Sequence, residues 1–501
     1  MKKVYSGSFE GIHAKTVSVE TSFSKGLPSF SIVGLGSASI QESKERIKSS
    51  LSANDYSFPP MRVVINLSPS DLKKEGTHFD LCGALLIALQ KEKISFEDYY
   101  IFGELGLDGE VKETSSLFAL ILSLSQSGEM TKAIVPSSSV DKLSAIPNAQ
   151  FYGVHNLQEC IEFFTSEKDK TPALAKDYQY PFIRLSSKKF FYQDHYPLDF
   201  KDVKGQEHAK RAALISAAGM HNMLLEGSPG CGKSMIAKRL LYILPPLHMD
   251  EILENAKLHA LEGVEPTFLP LRPFRHPHHT STPASIFGGG SIHSKIGEIG
   301  LAHGGILFFD ELPYFTKNVL EALREPLEDR RIMISRVNTK IEYPTDLMFV
   351  SAMNPCPCGN LYHLQKSCRC TDLEVQRYKN RLSEPFLDRI DLNVQMQAVS
   401  SEDKAGLSSA QMHQSVFSAL KMKELRKQDE VNGKLSDEDV PVYCKLNDEL
   451  KNIMRQASDS FGLSFRSINK ALKVARTIAD LASSEQIEKA HLLEALSYRR
   501  R

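Results

Sequence analysis

Residues 227–234 read Gly227-Ser228-Pro229-Gly230-Cys231-Gly232-Lys233-Ser234, a complete G-x-x-x-x-G-K-[ST] loop. Glycines at these spacings let successive backbone N–H groups curl around phosphate oxygens, and a helix starting at the loop's end adds its positive dipole terminus. The apolar run Met223-Leu224-Leu225 leads in, and Met235-Ile236-Ala237-Lys238-Arg239-Leu240-Leu241 follows. That strand–loop–helix setting gives the motif its meaning. In it Lys233 would reach the β- and γ-phosphates and Ser234 would hold Mg²⁺. The chemistry read here is ATP binding.

Ile306-Leu307-Phe308-Phe309 is an apolar strand ending in Asp310 and Glu311. After a sound phosphate loop, Asp310 is suited to complete the Mg²⁺ shell and Glu311 to polarise an attacking water. A further apolar run, Phe349-Val350-Ser351-Ala352-Met353, ends in Asn354. Asn354 suits a polar sensor beside the γ-phosphate, or an Asn that simply opens a turn. Just beyond it, Cys356, Cys358, Cys368 and Cys370 form C-x-C…C-x-C with nine residues between the pairs. Four thiolates in so short a span match a closed, structural Zn²⁺ site, with His363 as a substitute ligand and paired disulfides as the rival. His276, His278 and His279 lack a carboxylate or cysteine at ligand spacing, which disfavours a second metal site.

The elements that must position these residues follow from composition. The 501-residue chain has 42% hydrophobic and 24% charged residues, the profile of a globular protein of several domains. Lys+Arg and Asp+Glu balance at 61 each, so any polyanion contact must come from local patches. No apolar h-region follows Met1, and no run approaches a membrane span. The eight cysteines, four of them clustered, suggest a reducing cytosol, so a cytoplasmic protein with no membrane partner is expected. Residues 1–165 alternate short strands and helices, 166–195 are polar and read as a loosely packed linker, 196–395 alternate strand and helix around the phosphate loop, and 396–501 are helical and charged. The fold class expected is α/β.

Val203-Lys204-Gly205-Gln206, Asp310-Glu311, Asn354, Phe386-Leu387-Asp388-Arg389 and Ser464-Phe465-Arg466 together resemble an AAA+ ATPase. Glu311-Leu312-Pro313, Leu323-Arg324-Glu325-Pro326-Leu327-Glu328, Met353-Asn354-Pro355-Cys356-Pro357-Cys358-Gly359 and Ala475-Arg476-Thr477-Ile478-Ala479-Asp480-Leu481 resemble the magnesium-chelatase-like ComM/YifB family more closely. The resemblance covers nearly the whole chain. It implies an AAA+ P-loop core with a C-terminal helical lid, assembled as a ring, usually a homo-hexamer, with ATP between subunits. Arg389 would be the finger that neutralises transition-state charge in the neighbour's site, and Arg466 the lid's sensor closing on the phosphates. Residues 287–293 would be an insert in the second helix, facing the ring's pore. Arg331 to Tyr343 alternate like two strands about a turn near Asn338, as in the hairpin of DNA-translocating relatives. Arg336 and Lys340 near its tip would contact DNA phosphates, single-stranded or branched; the alternative is an ordinary exposed hairpin.

Residues 67–80 followed by the apolar helix at 81–89 resemble the α+β, ribosomal-protein-S5-like proteolytic domain of Lon-type proteases. The position of their nucleophilic Ser falls on His78, and Leu117-Phe118-Ala119-Leu120 carries no Lys partner. A Ser needs an adjacent base to be activated, so no peptidase activity is expected. The function implied by the resemblance is a branch-migration helicase acting in recombination during natural transformation. The alternative is an ATPase subunit of a metal-chelatase-type complex.

Overall fold

The computed structural model describes residues 2–166, 170–174, 178–289, 295–335, 340–363, 366–397 and 406–499. The chain divides into two compact units. The first comprises Met1–Gln179, Ala256–Phe268 and Ser335–Glu342, and the second Tyr180–Asn255, Leu269–Ile334 and Tyr343–Arg501.

Among its described residues the first unit holds a seven-stranded mixed sheet, in the order Ser29–Val33, Arg62–Ser68, His13–Ser24, Lys2–Glu10, Tyr100–Ile101, Lys132–Pro136 and Gln150–Val154. Arg62–Ser68 alternates exposed or half-buried residues with the buried Val63, Ile65 and Leu67, as a strand with one face on a core must. The helix Asp80–Ala88 is buried along eight of its residues. His78, at the position where the resemblance would put a nucleophile, is buried; its Nε2 lies 2.8 Å from the Gly7 carbonyl, and burial pushes the imidazole down to about 4. It is therefore neutral at pH 7. Lys74 is also buried, and its ammonium donates to the Pro69 carbonyl rather than to a serine hydroxyl.

The second unit is built on a parallel sheet in the order Phe274–Arg275, Ile306–Phe309, Met348–Met353, Met223–Gly227 and Leu392–Met396. All of Ile306–Phe309 and Met348–Met353 is buried, as expected where helices cover both faces of a parallel sheet. The C-terminal helices Ser409–Leu425, Asp448–Phe461, Phe465–Leu481 and Lys489–Ser497 share one hydrophobic core with that sheet. Asp480, 1% exposed, ties them together: it accepts from Arg426 Nη2 at 2.8 Å, Asn432 Nδ2 at 2.7 Å and Arg476 Nε at 3.2 Å. Removing one partner of such a buried charge cluster costs about 3–5 kcal/mol.

The stretch expected to be a loose linker is in part a hairpin, Phe182–Leu185 against Lys188–Phe191, which also pairs with Leu247–His248. Leu185 and Phe191 are both 7% exposed; the polar residues around them hid a two-residue anchor.

Candidate functional site

Parallel strands point their carboxyl ends to one edge of the sheet, and crevices form where strand order reverses. The phosphate loop leaves the end of Met223–Gly227, Asn354 the end of its neighbour Met348–Met353, and Asp310-Glu311 the end of Ile306–Phe309. Three separate sequence motifs are thus gathered on one edge.

Gly230 and Gly232 take φ of 82° and 97°, the left-handed region a side chain would disfavour, before the helix Lys233–Leu240 begins. Lys233 Nζ donates to the carbonyls of Gly227 at 2.6 Å and Ser228 at 3.1 Å, and to Asn354 Oδ1 at 3.1 Å. Burial lowers its pKa, opposed by the charges of Cys231, Asp310 and Glu311. Ser234 Oγ donates to Asp310 Oδ2 at 2.8 Å, so the two residues assigned to Mg²⁺ already face each other. The buried Ser228 hydroxyl has no partner among the described residues, a polar group suited to a ligand of the loop. Cys231 packs beneath the loop and Gln206 Nε2 donates to its carbonyl at 3.1 Å, a brace from the segment before the core. Glu311, at φ 53°, is turned outward and half exposed, with His279 Nδ1 3.6 Å from its Oε2. Of the three histidines, for which a metal reading is disfavoured, His279 is thus the one placed beside an acid, while the His276 ring sits 4.8 Å from that of Phe308, on the strand that precedes Asp310.

The four thiols converge. Cys356 Sγ lies 3.5 Å from Cys358 Sγ and 3.6 Å from Cys368 Sγ, and all four Sγ atoms fall within 4.8 Å of one another. Zn–S bonds of about 2.3 Å in a tetrahedron require S···S separations of about 3.8 Å, so the cluster fits Zn²⁺. No two of these sulfurs are bonded, and all eight cysteines are free. Backbone N–H groups of Arg369 and Asn360 pull the Cys358 thiol down to about 6, favouring thiolate. His363 is not among these ligands; its Nδ1 accepts from Lys366 N at 3.2 Å. The loop is fastened to the nucleotide edge: Gly359, φ 78°, lies so close to Pro229 that a Cβ would sit 2.6 Å from its Cδ. Tyr362 donates to Glu226 Oε1 at 3.3 Å and Lys379 pairs with the same carboxylate at 2.9 Å.

The two arginines lie elsewhere. Asn222, which precedes the strand Met223–Gly227, donates through Nδ2 to the Arg389 carbonyl at 2.9 Å. Arg389 is therefore at the amino edge of the sheet, one strand length, about 16 Å, from the phosphate loop of its own chain. Arg466 pairs with Glu328, as does Arg389. The structure thus brings Lys233, Ser234, Asp310, Glu311 and Asn354 together but holds Arg466 with Arg389, not on the phosphate loop as its reading as a lid sensor implied. Glu328 closes the Leu323–Glu328 motif and His279 the histidine cluster, but nothing in either motif marks the partner found here. Strands Arg331–Ser335 and Lys340–Pro344 form the anticipated hairpin. Arg336 lies outside the described residues, as do 290–294 of the helix insert, and the Lys340 side chain is not described. No described helix is long and apolar enough to cross a membrane.

Known proteins support the grouping. Residues 199–404 match the family described as magnesium chelatase, subunit ChlI, residues 19–139 its ChlI-subunit family, and residues 406–499 the ChlI C-terminal family. The chain is 36% identical to the competence protein ComM of Haemophilus influenzae over 508 residues, covering 99% of this chain and 97% of that one. It is 36% identical to the uncharacterized protein YifB of Salmonella typhimurium over 499 residues, covering 98% and 95%. A shorter match, 29% identical over 160 residues and 29% of each chain, relates it to Lon protease 2 of Bacillus subtilis.

Lys233→Ala should weaken ATP binding at least about tenfold, whereas Glu311→Gln should bind ATP normally and lose about 100-fold or more in kcat, by fluorescent-nucleotide titration and phosphate release. An unchanged rate for Glu311→Gln would remove its assignment. Metal analysis of chain purified without chelator should give one zinc per chain, falling to near zero in Cys356→Ser with Cys368→Ser; a wild-type value near zero would end the zinc reading.

Proposed function

This chain belongs to the magnesium-chelatase-like ComM/YifB family, and from that membership we propose that it is an AAA+ ATPase that works as a ring-shaped motor on DNA, a branch-migration helicase in recombination or natural transformation. The observation that carries the reading is the division of the catalytic set between two edges of one sheet. A chain that holds phosphate donors at one edge and arginines at the other is complete only when a second copy docks edge to edge, and repetition of that contact closes a ring. The relative named a competence protein supports the setting of DNA uptake.

In this reading the N–H groups of the loop and the Lys233 ammonium would neutralise the β- and γ-phosphates, and Ser234 and Asp310 would hold a Mg²⁺ that supplies screening of the triphosphate charge. Glu311 takes the proton of the attacking water, and Asn354, bonded to Lys233, aligns the γ-phosphate. Arg389 and Arg466 of a neighbour stabilise the charge that develops, a contribution of about 10³–10⁵ in rate where such arginines have been removed. Cys356, Cys358, Cys368 and Cys370 would hold a structural Zn²⁺, stiffening the loop whose Gly359 abuts Pro229. The hairpin Arg331–Pro344, through Arg336 and Lys340, contacts the DNA backbone, and each subunit adds a weak, salt-sensitive contact. A chelatase-type ATPase subunit would share the nucleotide chemistry but have no use for DNA.

Forked or four-way-junction DNA should bind the chain, stimulate its hydrolysis and be unwound in a strand-displacement assay. Affinity should fall steeply as salt rises from about 50 to about 200 mM. The slope of that fall should be shallower by about one for each phosphate-binding side chain removed, as in Arg336→Ala with Lys340→Ala. DNA that neither binds nor stimulates hydrolysis would sink the motor reading and favour the chelatase one.

A further inference from the structure

Glu328 sits between two guanidinium groups. Arg389 Nη2 donates to its Oε2 and Arg466 Nη2 to its Oε1, so each arginine gives Glu328 a single nitrogen. Arg389 is anchored from behind, with Nη1 donating to the Pro385 carbonyl at 2.5 Å, and its Nε is buried without a partner among the described residues. The Arg389 side chain is 11% exposed and that of Arg466 44%, so one is fixed by packing while the other depends on its ion pair for placement. They line a cavity of about 470 Å³ together with Glu328, Asp391, Lys470 and Lys473. Lys470 pairs with Asp391 at 3.1 Å, whereas Glu328 is the carboxylate paired with both arginines, although Asp329, Glu430, Asp437 and Asp439 line the same cavity. Two guanidiniums this near repel each other, and a carboxylate bridging them offsets the repulsion while setting their separation.

We propose that Glu328 is the positioning residue of the arginine pair. It holds Arg389 and Arg466 side by side, each with donors to spare, so that they reach a neighbouring subunit's nucleotide as one preset group. This rests on the reading of Arg389 as a residue that acts on a neighbour. Preset geometry lowers the cost of orienting two flexible side chains at the moment of reaction. A carboxylate is needed rather than any polar group, because both partners are pure donors. An amide offers one acceptor and turns its own donors toward a guanidinium.

The test is steady-state ATP hydrolysis and nucleotide binding by the full chain. Glu328→Ala and the near-isosteric Glu328→Gln should each lower kcat at least about tenfold, with ATP affinity at the chain's own phosphate loop within about twofold of wild type. Glu328→Asp should recover part of the loss. In an Arg389→Ala, Arg466→Ala background, Glu328→Ala should add no further loss, because its effect runs only through those side chains. Wild-type or faster hydrolysis by Glu328→Ala, or a full additional loss in that background, overturns the proposal. Wild-type hydrolysis by Arg389→Ala alone overturns the neighbour-acting reading and this proposal with it, whatever Glu328 does.

Discussion

A parallel strand delivers the loops at its two ends to opposite edges of its sheet, and Met223–Gly227 has only five residues to do so. At its carboxyl end, left-handed glycines fold the phosphate loop over Lys233. At its amino end, Asn222 holds the backbone of Arg389 and, through Oδ1, accepts from Phe349 N at 2.8 Å, which fixes the neighbouring strand in the same register. Because the strand is buried and paired on both sides, that separation is rigid. A nucleotide held at one edge cannot be reached by the arginines at the other. In the ring reading proposed above, assembly would follow from this distance.

The other parts of the second unit serve the two edges. The cysteine loop braces the carboxyl edge, with Gly359 against Pro229 and Lys379 on Glu226, so a metal held there would stiffen the strand end from which the phosphate loop departs. The C-terminal helices brace the amino edge. Phe465–Leu481 brings Arg466 to Glu328 and Lys470 to Asp391, and its far end is locked by the Arg426–Asp480–Arg476 cluster. Hydrolysis at a shared site would therefore act on rigid levers, the kind of packed, two-position interface that turns small shifts into domain motion.

What the sequence made legible is what is local. The phosphate loop, the acids after Phe309, the C-x-C pairs and the hairpin Arg331–Pro344 are encoded by spacing within one element, and each is found where its spacing places it. Glu328 was not legible, because its partners lie 61 and 138 residues away and nothing near it marks a bridging carboxylate. The same holds for His279 beside Glu311, a tertiary contact between two strands' exit loops. The hairpin at 182–191 was missed for the opposite reason: two buried residues among polar ones give too weak a periodicity. Arg466 was identified as important by resemblance, but its partner is set by how the terminal helices pack.

The central claim, a nucleotide site completed by a second copy, is tested most directly by mixing two inactive variants. Lys233→Ala chains retain the arginines and Arg389→Ala chains retain the phosphate loop. The account predicts that each alone is nearly inactive and that an equimolar mixture regains a substantial part of wild-type ATP hydrolysis. A mixture no more active than its separate components, with the two variants shown to co-assemble, would contradict it.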